Sequence, residues 1–358
     1  MMTVLSDLIR ADIQAQKAYV VADVPADYIK LDAMELPYQF PMEMQQALAT
    51  ELGQAAINRY PNPATCGLQA ALRAVFPIAE QAQIVLGNGS DELIQLITML
   101  LAKPDAVMLA LEPSFVMYRH NADLFGMRYV GVPLNEDFSL NLPALLAAIE
   151  QHQPALIFLA YPNNPTGVRF AREEVEAVLA AAMGVVVIDE AYGSFSSDSF
   201  LPQAGSCEKL VVMRTLSKIG FAGLRIGYAC GHVDLMTELA KIVPPYNMNQ
   251  LSLTAAKFAL RHYDWIDAHI EILKQERQRL MEQLAALPHY TVFPSEANFI
   301  TVRVPDADAV FEALKAQRVL IKKLHGSHPL LSQCLRFTVG TPEQNQHVLT
   351  VLQHTTLS

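Results

Sequence analysis

The sequence predicts an α/β fold: a large domain with a mostly parallel sheet flanked by helices, followed by a smaller α+β domain. Three observations predict it. The chain has 358 residues, more than the roughly 250–300 at which single hydrophobic cores stop growing, so two unequal domains are expected. Seven short apolar runs alternate with amphipathic segments between residues 84 and 231. A Pro244-Pro245 pair then interrupts the alternation, and a different pattern follows.

The seven runs are IVLG (84–87), AVMLAL (106–111), MRYVGVPL (127–134), ALIFLA (155–160), VVVID (185–189), KLVVMRT (209–215) and RIGYACG (225–231). Helical segments such as DELIQLITMLLA and REEVEAVLAAA separate several of them. Strand–helix alternation of this kind indicates a largely parallel sheet covered on both faces. Ligands of such sheets sit at the carboxyl ends of the strands. Beyond the proline pair a helical stretch runs from about 251 to 287, followed by YTVFPSEANFITVRV, a helix over 306–317 and the strand LRFTVG. The last helix opens with Thr341 as N-cap and Pro342 at its first position, the residue types favoured at those places. The expected division is an N-terminal arm over 1–36, a large domain over 37–245 and a small domain over 246–358. The arm precedes the sheet pattern and would pack on it or on a partner subunit.

Composition removes several function classes. Hydrophobic residues make up 52% and charged residues 17%, which suits a large core and not a disordered chain. A net charge of −10 argues against nucleic-acid or anionic-membrane partners, which attract basic surfaces. The opening MMTVLSDLIRAD lacks the apolar core of a signal peptide. The most apolar run, 96–102, falls far short of the roughly 20 residues of a membrane helix. Cys66, Cys207, Cys230 and Cys334 are widely spaced and form no CxxC pair, so a reduced, cytoplasmic protein is expected. His325-Gly326-Ser327-His328 has loose metal spacing but no carboxylate or cysteine beside it, and no metal is expected.

The strongest constellation is a pair of strand ends, VVVIDEAY (185–192) and VVMRTLSK (211–218). Neighbouring strands would bring Asp189 and Lys218 to one edge of the sheet. Pyridoxal 5'-phosphate (PLP) chemistry needs this pairing. A lysine forms a Schiff base with the cofactor aldehyde, and an acid pairs with the pyridinium nitrogen so that the ring takes up electrons. Taken alone, Lys218 reads as an exposed lysine after a strand. Its companions change that reading. The strand 155–160 runs into YPNNPTG, a turn in which Asn164 can aim its side chain over the sheet. Asn164 and Tyr192 could both hydrogen-bond the phenolate oxygen of PLP. GNGSDE (87–92) follows a strand and opens a helix, and a helix N-terminus offers free N–H groups to a phosphate. Thr215, Ser217 and Arg225 would complete that cup.

In this order GNGSDE, EPSFVMY, YPNNPTG, DEAY, TLSK and GLRIG resemble the motifs of fold-type I PLP-dependent enzymes, the aspartate-aminotransferase-like superfamily. The resemblance implies Lys218 as Schiff-base lysine and Asp189 as ring-nitrogen partner. It also implies Asn164 and Tyr192 at the ring oxygen, Phe115 stacked on the ring, and Ser90, Asp91, Thr215, Ser217 and Arg225 around the phosphate. It further implies a homodimer with shared active sites, in which Tyr60 reaches the partner's cofactor phosphate. The two ends of the chain, QAQKAYVV with IKLDAMELPY and CLRFTVGTPEQN, are similar to the histidinol-phosphate aminotransferase subfamily. That similarity implies Tyr19, Tyr60 and Arg336 at the acidic end of the substrate, since a guanidinium can hold an oxyanion by two parallel bonds. Two segments depart from the subfamily. VLIKKLHG carries lysines in place of an arginine, so Lys322 or Lys323 would take its role, and Met34 and Leu36 stand where asparagines are usual.

The implied activity is amino transfer, from L-histidinol phosphate to 2-oxoglutarate in histidine biosynthesis. An aromatic amino-acid aminotransferase and a phospho-amino-acid decarboxylase share the cofactor motifs. A PLP-sensing DNA-binding regulator fits poorly, because the first 83 residues show no helix-turn-helix and the net charge is acidic.

Overall fold

The computed structural model describes residues 5–16, 18, 24–62 and 66–355. Its strands in chain order are β1 (Ile29–Leu31), β2 (Gln83–Gly87), β3 (Val107–Glu112), β4 (Arg128–Pro133), β5 (Leu156–Ala160) and β6 (Val185–Asp189). There follow β7 (Leu210–Thr215), β8 (Gly227–Gly231), β9 (Thr291–Val292), β10 (Phe299–Arg303), β11 (Val319–Lys323) and β12 (Cys334–Thr338). Each of the seven apolar runs is thus a strand, β2 through β8.

Those seven form one sheet in the order β2-β8-β7-β6-β5-β3-β4. All run parallel except β8. The exception has a simple cause. Only residues 216–226 connect β7 to β8, too few for the dozen or more that a crossover helix needs. Side chains alternate across the strands and divide the apolar interior in two. Phe158, Val187 and Met213 pack on one face, towards the helices Ser90–Leu101 and Met117–Phe125. Ile157, Val186, Ile188 and Val212 pack on the other. Asp189 follows Val187 on the first face, and the next residue, Glu190, turns to the second. There it is buried against Arg214 at 2.7 Å.

The second sheet has the order β1-β11-β12-β10-β9. β1 lies parallel to β11, with Ile29 opposite Val319, so part of the predicted arm is the edge strand of the C-terminal sheet. The helical stretch expected over 251–287 is two helices, Gln250–Arg261 and Tyr263–Ala285. They part at His262, whose backbone (φ −109°, ψ 29°) leaves the helical region. The bend lets the first helix pack on Met42–Gly53 and Leu68–Val75 while the second reaches the terminal helix Pro342–His354. Thr341 caps that last helix: its Oγ1 accepts from the Gln344 amide at 3.3 Å and its own N–H donates to Gln344 Oε1 at 3.0 Å, a reciprocal capping box.

The sheets meet beside the YPNNPTG turn. Glu296, before β10, accepts from Arg169 Nε at 2.8 Å and from the Ser197 amide at 2.7 Å. These donors hold its carboxyl down at about 2 despite partial burial. Thr301 of β10 donates to the Pro165 carbonyl. The turn that carries Asn164 is thereby tied to the small sheet.

Candidate active site

Asp189 is the last residue of β6 and is buried. Tyr118 Oη donates to its Oδ2 at 2.8 Å and the Ala191 amide to its Oδ1 at 3.0 Å. Among the described residues it has no salt-bridge partner, and burial pushes its carboxyl up to about 6. A desolvated carboxylate without a cation fits a protonated ring nitrogen.

Lys218 lies in the short helical turn after β7, in the strand register next to β6. Its Nζ donates to the Ala33 carbonyl at 3.3 Å and stands 5.8 Å from the centre of the Tyr192 ring. Burial, and next the charge of Arg336, push its ammonium down to about 8. A lowered ammonium pKa raises the share of free amine, the form a nucleophilic lysine requires. Asn164 Nδ2 donates to Tyr192 Oη at 3.1 Å, so the two residues expected at one ring oxygen are side by side.

The expected phosphate cup is also assembled. Ser90 and Asp91 open the helix Ser90–Leu101, where unpaired N–H groups and the positive dipole end favour an anion. Thr215 Oγ1 lies 2.9 Å from Ser217 Oγ. Arg225 holds Asp91 Oδ2 at 3.2 Å, and both residues line the cup. Two glycines allow this closeness. A Cβ on Gly89 would come within 2.5 Å of Arg225 Nη2, and one on Gly227 within 2.5 Å of the Ser90 nitrogen. Phe115 lines the same cavity, which also touches Asp189, Asn164, Tyr192 and Lys218.

This inner cup opens into a chamber of about 710 Å³, and Met34, Phe115, Asn164 and Lys218 line both. Arg336 of β12 forms part of the chamber wall. Its Nη1 donates to Asn164 Oδ1 at 2.6 Å and its Nη2 to the Asp32 carbonyl at 3.0 Å. Lys322 of β11 stands directly opposite Arg336 in the antiparallel register, which puts both side chains on one face of the sheet. Lys323 edges the chamber too, but its Nζ is turned to Asp308 at 2.8 Å and over Phe311. His325 and His328, the loose metal pair, each accept a backbone amide through Nδ1, from Gln333 at 3.0 Å and Leu330 at 3.2 Å.

Two expected residues are not in this assembly. Tyr60 is 81% exposed and stacks on Tyr246 at 4.5 Å, away from the cup of its own chain. Tyr19 lies outside the described residues. Sequence reasoning gave no role to Tyr118, three positions after Phe115 on the rim of the helix Met117–Phe125. It also gave none to the Ala33 carbonyl, since a main-chain oxygen carries no side-chain signature.

Comparison with known proteins identifies the family. The family model for aminotransferase class I and II matches residues 26–352. Histidinol-phosphate aminotransferase of Neisseria meningitidis serogroup B (strain MC58) is 62% identical over 349 residues, covering 96% of this chain and 95% of the relative. The protein of that name from Chromobacterium violaceum is 57% identical and covers 98% of each chain. Among solved structures, histidinol-phosphate aminotransferase from Sinorhizobium meliloti in complex with pyridoxal-5'-phosphate superposes with a TM-score of 0.84 at 23% identity, over 99% of each chain, which shows the shared fold. With strand ends, cup and sequence in accord, the chain belongs to the class I and II aminotransferases, a family of PLP-dependent enzymes.

Proposed function

We propose that this aminotransferase moves the amino group of L-histidinol phosphate to 2-oxoglutarate, giving imidazole acetol phosphate and L-glutamate in histidine biosynthesis. The observation that carries the reading is the cation pair Arg336 and Lys322, set on one sheet face in the wall of the 710 Å³ chamber that opens from Lys218. A phosphorylated amine needs such a place for its anionic end. Relatives at 57–62% identity bear the corresponding name.

When bound, pyridoxal phosphate supplies an aldehyde that captures amines and a ring that draws electrons from the substrate α-carbon. Lys218 Nζ is the group that would carry it. With the cofactor bound, Lys218 Nζ would serve as the base that takes the proton from the substrate α-carbon and as the acid that gives it back. An ammonium pushed down to about 8 is suited to both tasks near neutral pH. Asp189 would keep the ring nitrogen protonated. Asn164 Nδ2 and Tyr192 Oη would hold the ring oxygen, and Phe115 would pack on the ring. Ser90, Asp91, Thr215, Ser217 and Arg225 would hold the phosphate. Arg336 and Lys322, with Tyr19, hold the anionic end of the substrate. The same reading makes the enzyme a cytoplasmic homodimer, in which Tyr60 of the partner subunit completes the cup. The exposure of Tyr60 supports that arrangement.

The test is the visible absorption of the PLP-loaded protein before and after adding L-histidinol phosphate, with L-phenylalanine for comparison. The expected result is loss of the bound-cofactor band at a much lower concentration of histidinol phosphate. A preference for phenylalanine would reassign the enzyme to aromatic amino acids. Absence of any cofactor band would overturn the role of Lys218.

A further inference from the structure

Tyr118 is 1% exposed and sits on the helix Met117–Phe125, which packs on the same sheet face as Asp189. Its ring is stacked on Phe158 with centroids 4.5 Å apart and planes 7° apart, and Phe115 meets it edge-on at 5.7 Å. The ring therefore has little freedom, and neither does the hydroxyl it carries. That hydroxyl donates to Asp189 Oδ2 at 2.8 Å. An aromatic chosen only to fill this core could be phenylalanine, because burying an O–H is favourable only where it finds an acceptor. The acceptor here is the carboxylate expected at the cofactor ring.

We propose that Tyr118 is a positioning residue for Asp189: its clamped hydroxyl fixes the plane of the carboxylate and stabilises its ionised form at the wall of the cup. The inference rests on the reading of Asp189 as ring-nitrogen partner. Donation to the charged form opposes the effect of burial on the carboxyl. Tyr118 itself is held far above the ordinary tyrosine range by burial, so it remains a donor at every working pH. The charged and titratable groups facing Asp189 besides Tyr118 are Asp91 from the helix Ser90–Leu101, Glu190 and Tyr192 from its own strand end, and Lys218 and Arg225 from beyond β7.

The experiment measures PLP affinity of the full chain, stripped of cofactor, across a series of pH values for wild type and Tyr118→Phe. The difference between the two cancels the titrations of PLP itself. Losing one hydrogen bond to a charged group should weaken affinity by about 10- to 100-fold near neutral pH. The pH midpoint of binding should also move upward, because Asp189 ionises less readily without its donor. Phe158→Leu, which keeps the hydroxyl but unlocks the ring, should move the midpoint less and in the same direction. A Tyr118→Phe protein with weaker binding and an unmoved midpoint would show a purely structural residue and overturn the inference, as would wild-type binding throughout. A wild-type chain that develops no visible band with PLP would instead refute the amino-transfer reading.

Discussion

The inner cup and the outer chamber meet at Lys218 but are built differently. Most of the cup hangs on strand ends of one sheet: Asp189 closes β6, Thr215 closes β7, and Ser217 and Lys218 follow at once. Register between hydrogen-bonded neighbours sets their spacing. The chamber is gathered from segments remote in the chain, among them 32–34 after β1, 112–116 at the end of β3, and the facing pair Lys322 and Arg336. The proposed chemistry thus rests on the strand ends of one sheet, whereas the proposed substrate contacts rest where two sheets abut. Arg336 links the two regions, because the guanidinium on the chamber side also holds Asn164 of the cup at 2.6 Å.

The largest expected effect tests the cup. Lys218→Ala should lower turnover by at least about 10⁴-fold, since it removes both the nucleophile and the proton carrier. In the unsubstituted chain, the rate at which added PLP is captured should rise with pH and level off above about 8, not near 10.5, because the free amine attacks and burial has lowered its pKa. Stopped-flow absorption measures it. Next comes the link between regions. Arg336→Lys keeps the charge and loses the fork, so KM for histidinol phosphate should rise about 10- to 100-fold. The visible maximum of bound cofactor should shift as well, through Asn164. An unshifted maximum would make the two regions independent.

The chamber alone gives smaller effects. Lys322→Ala should raise KM about two- to fivefold, the range of an exposed charge, while Lys323→Ala should leave it unchanged because that ammonium is paired with Asp308. Equal effects in steady-state assays would break the assignment of faces. Smallest of all, Thr341→Ala should cost about 1 kcal/mol of stability, read as a lower melting temperature with KM and kcat unmoved. A change in kcat would mean that the last helix reports to the cup.

The same division governs what the sequence reveals. β2 through β8 announce themselves as apolar runs because both faces of that sheet are buried, and their motifs fall on contiguous stretches such as YPNNPTG and TLSK. The chamber is less legible. β1 is three residues long and carries no period to detect. The nearness of Lys322 to Arg336 depends on the pairing of β11 with β12, which neither segment encodes by itself. Tyr118 escaped because an aromatic beside Phe115 on a helix reads as core, which it also is. The break at His262 escaped because no Gly or Pro marks it and both flanks are helical, with packing setting the bend.

The pairing of β1 with β11 bears on how the protein is made. Ile29 lies opposite Val319, so a ribosome must add about 290 further residues before the earliest strand can find its neighbour. At about 5–20 residues per second, that is roughly 15–60 s. Throughout that interval the Ala33 carbonyl that meets Lys218 and the Asp32 carbonyl that meets Arg336 are attached to an unpaired stretch of chain. The large sheet can be finished early, but the candidate pocket closes only after β11 and β12 have been made, which ties its assembly to synthesis through Thr338.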